Sequence, residues 1–260
     1  MEKSSHDSLG DRMKAYEAAS TDRYAVKGQP LIARLDGRSF HTYTKGFHRP
    51  YDINLSSLMI GLASALVEEF HANVGYVQSD EISLMWYVAE DAVQEYPFAG
   101  RFQKLDSVLA SFAGAWFNRR SNILKIKEDQ LATFDCRSFN VPSKDEALNI
   151  FKWRQWDCRK NAVSMAAHTY YSAKFLHGMK RDEMIFLLKD EAHVDFDKYP
   201  EFFKDGTFVK KVQVERYLTP EEYDKIPLEH RPTGPVIRSE MQTFHIDSGQ
   251  KEDFEKFIFG

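Results

Sequence analysis

The chain has 260 residues, with 35 Lys and Arg against 39 Asp and Glu, a formal net charge of −4, 43% hydrophobic residues and 14% aromatics. That aromatic content excludes intrinsic disorder, because such a chain buries enough apolar area to offset the entropy of ordering. A near-neutral mean charge argues against a strong nucleic-acid binder, yet the mean conceals a partition: residues 1–100 sum to −5, 101–181 to +8 and 182–260 to −7.

In chain order, Met1-Glu2-Lys3-Ser4-Ser5-His6 is polar and lacks the apolar core of a signal sequence. Asp7 to Thr21 reads as a polar helix. Pro30-Leu31-Ile32-Ala33-Arg34-Leu35 is a short strand that stops at the turn dipeptide Asp36-Gly37. From Asn54 to Ala72, the residues Leu55, Leu58, Met59, Leu62, Leu66 and Phe70 recur at helical spacing, with Asn54 or Ser56 as cap. Asn73–Gln78 and Ile82–Val88 are strand-like, and Ser79-Asp80-Glu81 between them predicts a hairpin with an acidic tip. A helix over Phe102–Arg119 and a strand over Leu131–Phe139 follow.

This β-α-β-β-α-β order predicts an α+β fold of ferredoxin-like type, an antiparallel sheet with helices on one face. Its first strand is central and neighbours a hairpin strand, so Asp36 and Asp80 are expected to converge. Asp145 to Met179 predicts two helices broken near Cys158–Lys160. Residues 182–260 add a short helix, strands near Val209–Val214 and Pro235–Phe244, and an amphipathic C-terminal piece. A core over residues 1–140 and a helical and mixed part over 141–260, packed with it as one unit, is the expected division. No apolar run approaches the ~20 residues needed to span a bilayer. Cys136 and Cys158 are too few for a disulfide framework or a Cys-rich zinc site, and read as buried thiols of a soluble cytoplasmic protein.

Three constellations carry possible chemistry. Asp36-Gly37 and Asp80-Glu81 offer the hard oxygen ligands that Mg²⁺ prefers, and two such ions about 3.5–4 Å apart activate a hydroxyl and hold a leaving phosphate. Each motif alone is an ordinary turn; their arrival at adjacent strand ends favours a site. Arg38 to Pro50 interleaves donors with aromatics, as suits a loop around a nucleoside triphosphate, or else a basic surface loop with its rings folded inward. Trp153 to Asn161 lies in the basic third: Arg154, Arg159 and Lys160 read as phosphate contacts and Asn161 as a base or phosphate contact, with Trp153 and Trp156 in the core. His168, Tyr171 and Phe175 are expected as core packing.

At Arg34-Leu35-Asp36-Gly37-Arg38-Ser39-Phe40-His41, Gln78-Ser79-Asp80-Glu81, Phe134-Asp135-Cys136-Arg137 and Trp153-Arg154-Gln155-Trp156-Asp157-Cys158, the sequence resembles the tRNA(His) guanylyltransferase superfamily. The likeness spans about residues 10–180. It implies a polymerase-type palm that adds nucleotides in the 3′–5′ direction to the 5′ end of tRNA. By resemblance, two Mg²⁺ ions are held by Asp36, Asp80 and the Gly37 carbonyl, with Glu81 as a further ligand or supporting carboxylate. The same resemblance implies nucleotide contacts at Gly37, Arg38, Ser39, Phe40, His41, Lys45, Arg49, Ser79 and, more loosely, Lys104. GTP and other nucleoside triphosphates are the implied substrates, with ATP for activating a 5′ monophosphate, and a homotetramer is the implied assembly. Eukaryotic members carry His-Ile-Asn-Asn-Leu-Tyr-Asn where this chain has Arg159 to Met165, keeping only Asn161. That departure resembles the prokaryotic-like branch, in which template-directed repair of truncated tRNA is the expected activity. The rival readings are a palm-domain nucleotide cyclase, which needs no acceptor, and a catalytically silent RNA-binding module.

Overall fold

A computed structural model describes residues 5–123, 126–127 and 130–260; Met1–Ser4 of the polar N-terminus lie outside them. The helices are α1 (Ser5–Thr21), α2 (Phe40–Tyr43), α3 (Ile53–Phe70), α4 (Phe102–Ile123), α5 (Lys144–Tyr170), α6 (Ala173–Leu176), α7 (Arg181–Asp190), α8 (Glu201–Lys204), α9 (Pro220–Asp224) and α10 (Lys251–Phe259). The strands are β1 (Leu31–Gly37), β2 (Val74–Gln78), β3 (Glu81–Trp86), β4 (Phe134–Asn140), β5 (Thr207–Arg216) and β6 (Val236–Phe244).

The strands form one sheet in the order β4-β1-β3-β2-β5-β6, antiparallel throughout. The first four reproduce the expected ferredoxin-like order, with β1 between β3 and β4. Alternation along β1 decides its faces. Leu31, Ala33 and Leu35 point to one side, where they meet Leu58, Leu62 and Leu66 of α3 and Leu105, Leu109 and Phe117 of α4.

The expectation of helices on one face is corrected by the other side of the sheet. Ile32, Val74, Tyr76, Met85 and Phe208 are also apolar, and Phe151 of α5 with Phe254 and Ile258 of α10 covers them. A sheet with two apolar faces needs two layers of helix. β5 pairs with β2, so residues beyond 141 extend the same sheet.

Local chemistry accounts for the other differences. Asp52, not Asn54 or Ser56, caps α3, its carboxylate accepting from the Asn54 and Leu55 amides at 3.0 and 3.1 Å. Among the described residues α3 is the one helix long and apolar enough to cross a membrane, longer than the sequence reading allowed, and its inward stripe is buried in the core. The expected break near Cys158–Lys160 is absent: α5 runs unbroken for 27 residues, which contain no Gly or Pro. Ala162, Val163, Ala166 and Ala167 carry its inner stripe onward against Leu176, Leu188, Phe196 and Phe203. Trp153 and Trp156, expected in the core, are 49% and 64% exposed. His168 and Phe175 are exposed too, Phe175 stacking on Tyr171 rather than entering the core. Cys158 is buried and Cys136 half-buried, both free.

Candidate active site

The alternation that buries Leu35 turns Arg34 and Asp36 to the α5 side of the sheet. Asp36 pairs in register with Glu81 across β3 and with Asp135 across β4. The hairpin tip is shorter than expected, since Glu81 is the first residue of β3 and only Ser79 and Asp80 make the turn. Ser79 takes a left-handed φ of 49° to close it. The Gly37 amide donates to the Asp80 carbonyl at 3.1 Å, which folds this turn onto the end of β1. Asp36 and Asp80, 44 positions apart in sequence, thereby share one wall of a cavity of about 830 Å³.

Gly37 is required by packing as well as by any close approach of a ligand. A Cβ there would lie 2.3 Å from Cδ2 of Phe40. That ring is 3% exposed and sits among Tyr43, Phe117 and Phe134. Phe40 is therefore a core anchor for the loop after β1 as well as part of the cavity lining.

Both carboxylates are raised chiefly by burial. Burial pushes the Asp80 carboxyl up to about 6, against a hydrogen bond from its own amide, and the nearby Asp36 charge adds to the rise. Burial and then Asp135 raise Asp36, although Arg137, Arg34 and Arg154 oppose this. Paired, partly buried oxygen donors of this kind fit a hard divalent cation, which would relieve both. Among the described residues no three His, Cys, Asp or Glu side chains gather as a ligand cluster. Two carboxylates with carbonyl and substrate oxygens is the pattern Mg²⁺ takes at phosphate-handling sites.

Glu81 is differently employed. Arg154 Nε donates to its Oε1 at 2.7 Å and Nη2 to its Oε2 at 2.9 Å, a two-pronged pair, while Gln78 Nε2 adds 3.1 Å. Arg154 is 6% exposed and also reaches Asp157 at 3.0 Å, which accepts from Asn161 at 3.3 Å. Arg159 spends its guanidinium on Asp205 and Asp197. Of the residues expected to meet tRNA, Lys160 and Asn161 are exposed, Arg159 half-exposed and Arg154 internal.

Ser39, His41, Arg49, Ser79 and Asn161 line the cavity with the carboxylates; Arg38, Lys45 and Lys104 do not, Lys104 lying over the Phe98 ring instead. Sequence reasoning missed Asp157 and the wall made by Tyr51, Phe202 and Phe203, whose rings pack at 5.0 to 5.2 Å. Asp157 had a signal, its place one turn after Arg154. Phe202 and Phe203 had none, being brought in by α8 from far along the chain.

The family model described as tRNAHis guanylyltransferase matches residues 10–142. A bacterial tRNA(His) guanylyltransferase-like protein solved in complex with ATP superposes with a TM-score of 0.80 at 31% identity, over 96% of this chain and 99% of that one. One solved in complex with GTP gives 0.74 at 30% identity, over 97% and 99%. An uncharacterised protein of Acanthamoeba polyphaga mimivirus is 28% identical over 98% of this chain and 90% of its own. The tRNA(His) guanylyltransferase of Debaryomyces hansenii is 27% identical over 69% and 72%.

Proposed function

Because the chain belongs to the tRNAHis guanylyltransferase family, we propose that it extends the 5′ end of tRNA in the 3′–5′ direction, as a nucleotidyltransferase using nucleoside triphosphates. The observation that carries this reading is the convergence of Asp36 and Asp80 on one cavity wall, both raised by burial from the ordinary aspartate value. In the reaction, the 3′ oxygen of the incoming nucleotide attacks the phosphorus of an activated tRNA 5′ end. A new phosphodiester bond forms as pyrophosphate leaves from a triphosphate end, or AMP from an end first capped at the expense of ATP.

Asp36, Asp80 and the Gly37 carbonyl would hold two Mg²⁺ ions, which when bound lower the pKa of the attacking hydroxyl and neutralise the triphosphate. The chain's own groups position and exclude. Ser79 hydrogen-bonds the Asp80 carboxylate. Ser39, His41 and Arg49 face the space a triphosphate would fill. Glu81 acts through Arg154, fixing the hairpin against α5, rather than as a free ligand. Lys160 and Asn161 remain on the exposed side for tRNA. The rest of the reading is a cytoplasmic homotetramer, with residues 1–140 as catalytic core and 141–260 as a part that completes it. Because only Asn161 of the eukaryotic stretch persists, repair of truncated tRNAs by base-paired addition is favoured over strict tRNA(His) choice.

The test offers labelled nucleoside triphosphates with Mg²⁺ to full-length and 5′-truncated tRNAs, varying the base opposite the site of addition. Addition should follow Watson–Crick pairing and be lost in Asp36→Ala and Asp80→Ala. Full addition by either variant would sink the assignment. Product formed from ATP or GTP with no acceptor would point to a cyclase instead.

A further inference from the structure

We infer that the outer face of α5 is a docking strip for single-stranded RNA, the unpaired nucleotides beside the end being extended; this rests on the tRNA reading above. Trp153 and Trp156 stand three positions apart on α5, so their rings are neighbours on one face. They are 49% and 64% exposed, and large apolar rings left side by side in water mark a binding surface. Each ring carries a cation: the Lys152 ammonium lies 5.3 Å from the Trp156 centroid, and the Arg34 and Arg154 guanidiniums lie 5.5 and 4.5 Å from that of Trp153. Arg34 and Arg154 are themselves largely enclosed, so they hold Trp153 from the protein side. Lys160, exposed, follows Trp156 by one further turn.

Stacking of bases on aromatic rings with cations for the phosphates is the sequence-tolerant way proteins hold unpaired nucleotides. Position supports this occupant. The turn of α5 that presents Trp153 and Trp156 outward also sends Arg154 and Asp157 inward to line the cavity, so the strip and the cavity wall share one turn of helix. Charge supports it from Lys152 onward: Lys152, Trp153, Trp156 and Lys160 carry two cations and no carboxylate, and Glu146, exposed one turn before Asn149 and accepting from it at 3.0 Å, marks the N-terminal limit of the strip.

The experiment titrates the full chain with a labelled short oligoadenylate, reading anisotropy together with quenching of tryptophan fluorescence, and measures the oligomeric state of every variant by sedimentation. Trp156→Leu is expected to weaken binding about tenfold or more, while Trp156→Tyr, which keeps a stacking ring, retains most of the affinity. Lys152→Ala and Lys160→Ala should each flatten the dependence of log Kd on log salt by about 0.7. The surface substitutions leave the melting temperature in place. Unchanged affinity in the Trp153→Leu, Trp156→Leu double variant would overturn the inference. So would loss of binding that tracks a change of oligomeric state, since the face would then join copies of the chain. Oligoadenylate binding by a wild-type protein that adds nothing to any tRNA would fail the enzymatic reading and leave the strip standing.

Discussion

Replacing Gly37 by Ala tests whether packing or ligand approach demands the glycine beside Asp36. The new methyl would start 2.3 Å from Phe40 Cδ2 and 2.7 Å from Cε2 and Cγ, whereas ordinary contact begins near 3.4 Å. The Phe40 ring has no room to retreat, with Tyr43, Phe134 and Phe117 centroids at 5.1, 5.3 and 5.6 Å. Strand β1 or the aromatic cluster must therefore yield, an overpacking that costs about 1–3 kcal/mol. Because the Gly37 amide is tied to the Asp80 carbonyl, the same shift moves both carboxylates, and nucleotide addition should fall along with stability. Urea denaturation gives the stability and a tRNA extension assay the rate. In a Phe40→Leu background, where the space is partly vacated, the cost of Gly37→Ala should drop by about 1 kcal/mol or more, the coupling expected of residues in contact. Equal cost in both backgrounds, or a fully stable and active Gly37→Ala, would refute the packing argument.

Arg154→Ala leaves Glu81 enclosed without its partner and should destabilise by about 3–5 kcal/mol in thermal or urea melts; adding Glu81→Gln should recover part of that loss, whereas simple additivity would deny the pairing. Arg154→Lys keeps the charge but not the two-pronged geometry, so it should stay folded with a reduced kcat for nucleotide addition, and wild-type turnover would free Arg154 from any positioning role. Glu222 is held down to about 2 by hydrogen bonds from Arg216 and Thr219; its folded pKa lies below the ordinary value, so its stabilisation of the β5–β6 hairpin is complete above about 4.5 and is lost as pH falls towards 2. Hydrogen exchange of the β5 and β6 amides should accelerate over that window in the wild type and show no such dependence in Glu222→Gln. Burial pushes the Cys158 thiol up to about 12 and raises Cys136 further, so a thiol reagent at pH 8 should label neither until the protein unfolds; rapid labelling of the native protein would contradict the burial described.

Much of the fold could be read from short apolar runs bounded by turn residues and from helical spacing, because β1 to β3 are such runs and the two helices on their first face each carry a buried stripe. The carboxylate pair was legible for a related reason: Asp36-Gly37 and Asp80-Glu81 fall where strand patterns end, and the topology brings those ends together. The motif around Trp153 read inside out. Ranking residues by hydrophobicity places tryptophan in the core and arginine in water. Here Arg154 is drawn inward by Glu81, a carboxylate 73 positions earlier that no local pattern reveals, and its neighbouring rings are left outside. The second helical layer was illegible because a strand apolar on both faces, as β2 is, does not say what covers the second one, and the covering residues Phe254 and Ile258 lie far downstream.

That last arrangement has a consequence for how the protein is made. Strands β1 to β4 are translated by residue 140, yet one face of the sheet they form stays open until α5 and finally Phe254 and Ile258 of α10 arrive. Contacts of such long separation form late and slowly. When residue 140 has just been added, the carboxylate wall still lacks Arg154 against Glu81 and the Phe202 and Phe203 that pack on Tyr51 at the cavity's other side. A nascent palm thus has the acidic residues of a nucleotidyltransferase without the enclosure that would let it act on RNA. The enclosure depends on α5 and α8, which follow the four palm strands in the chain.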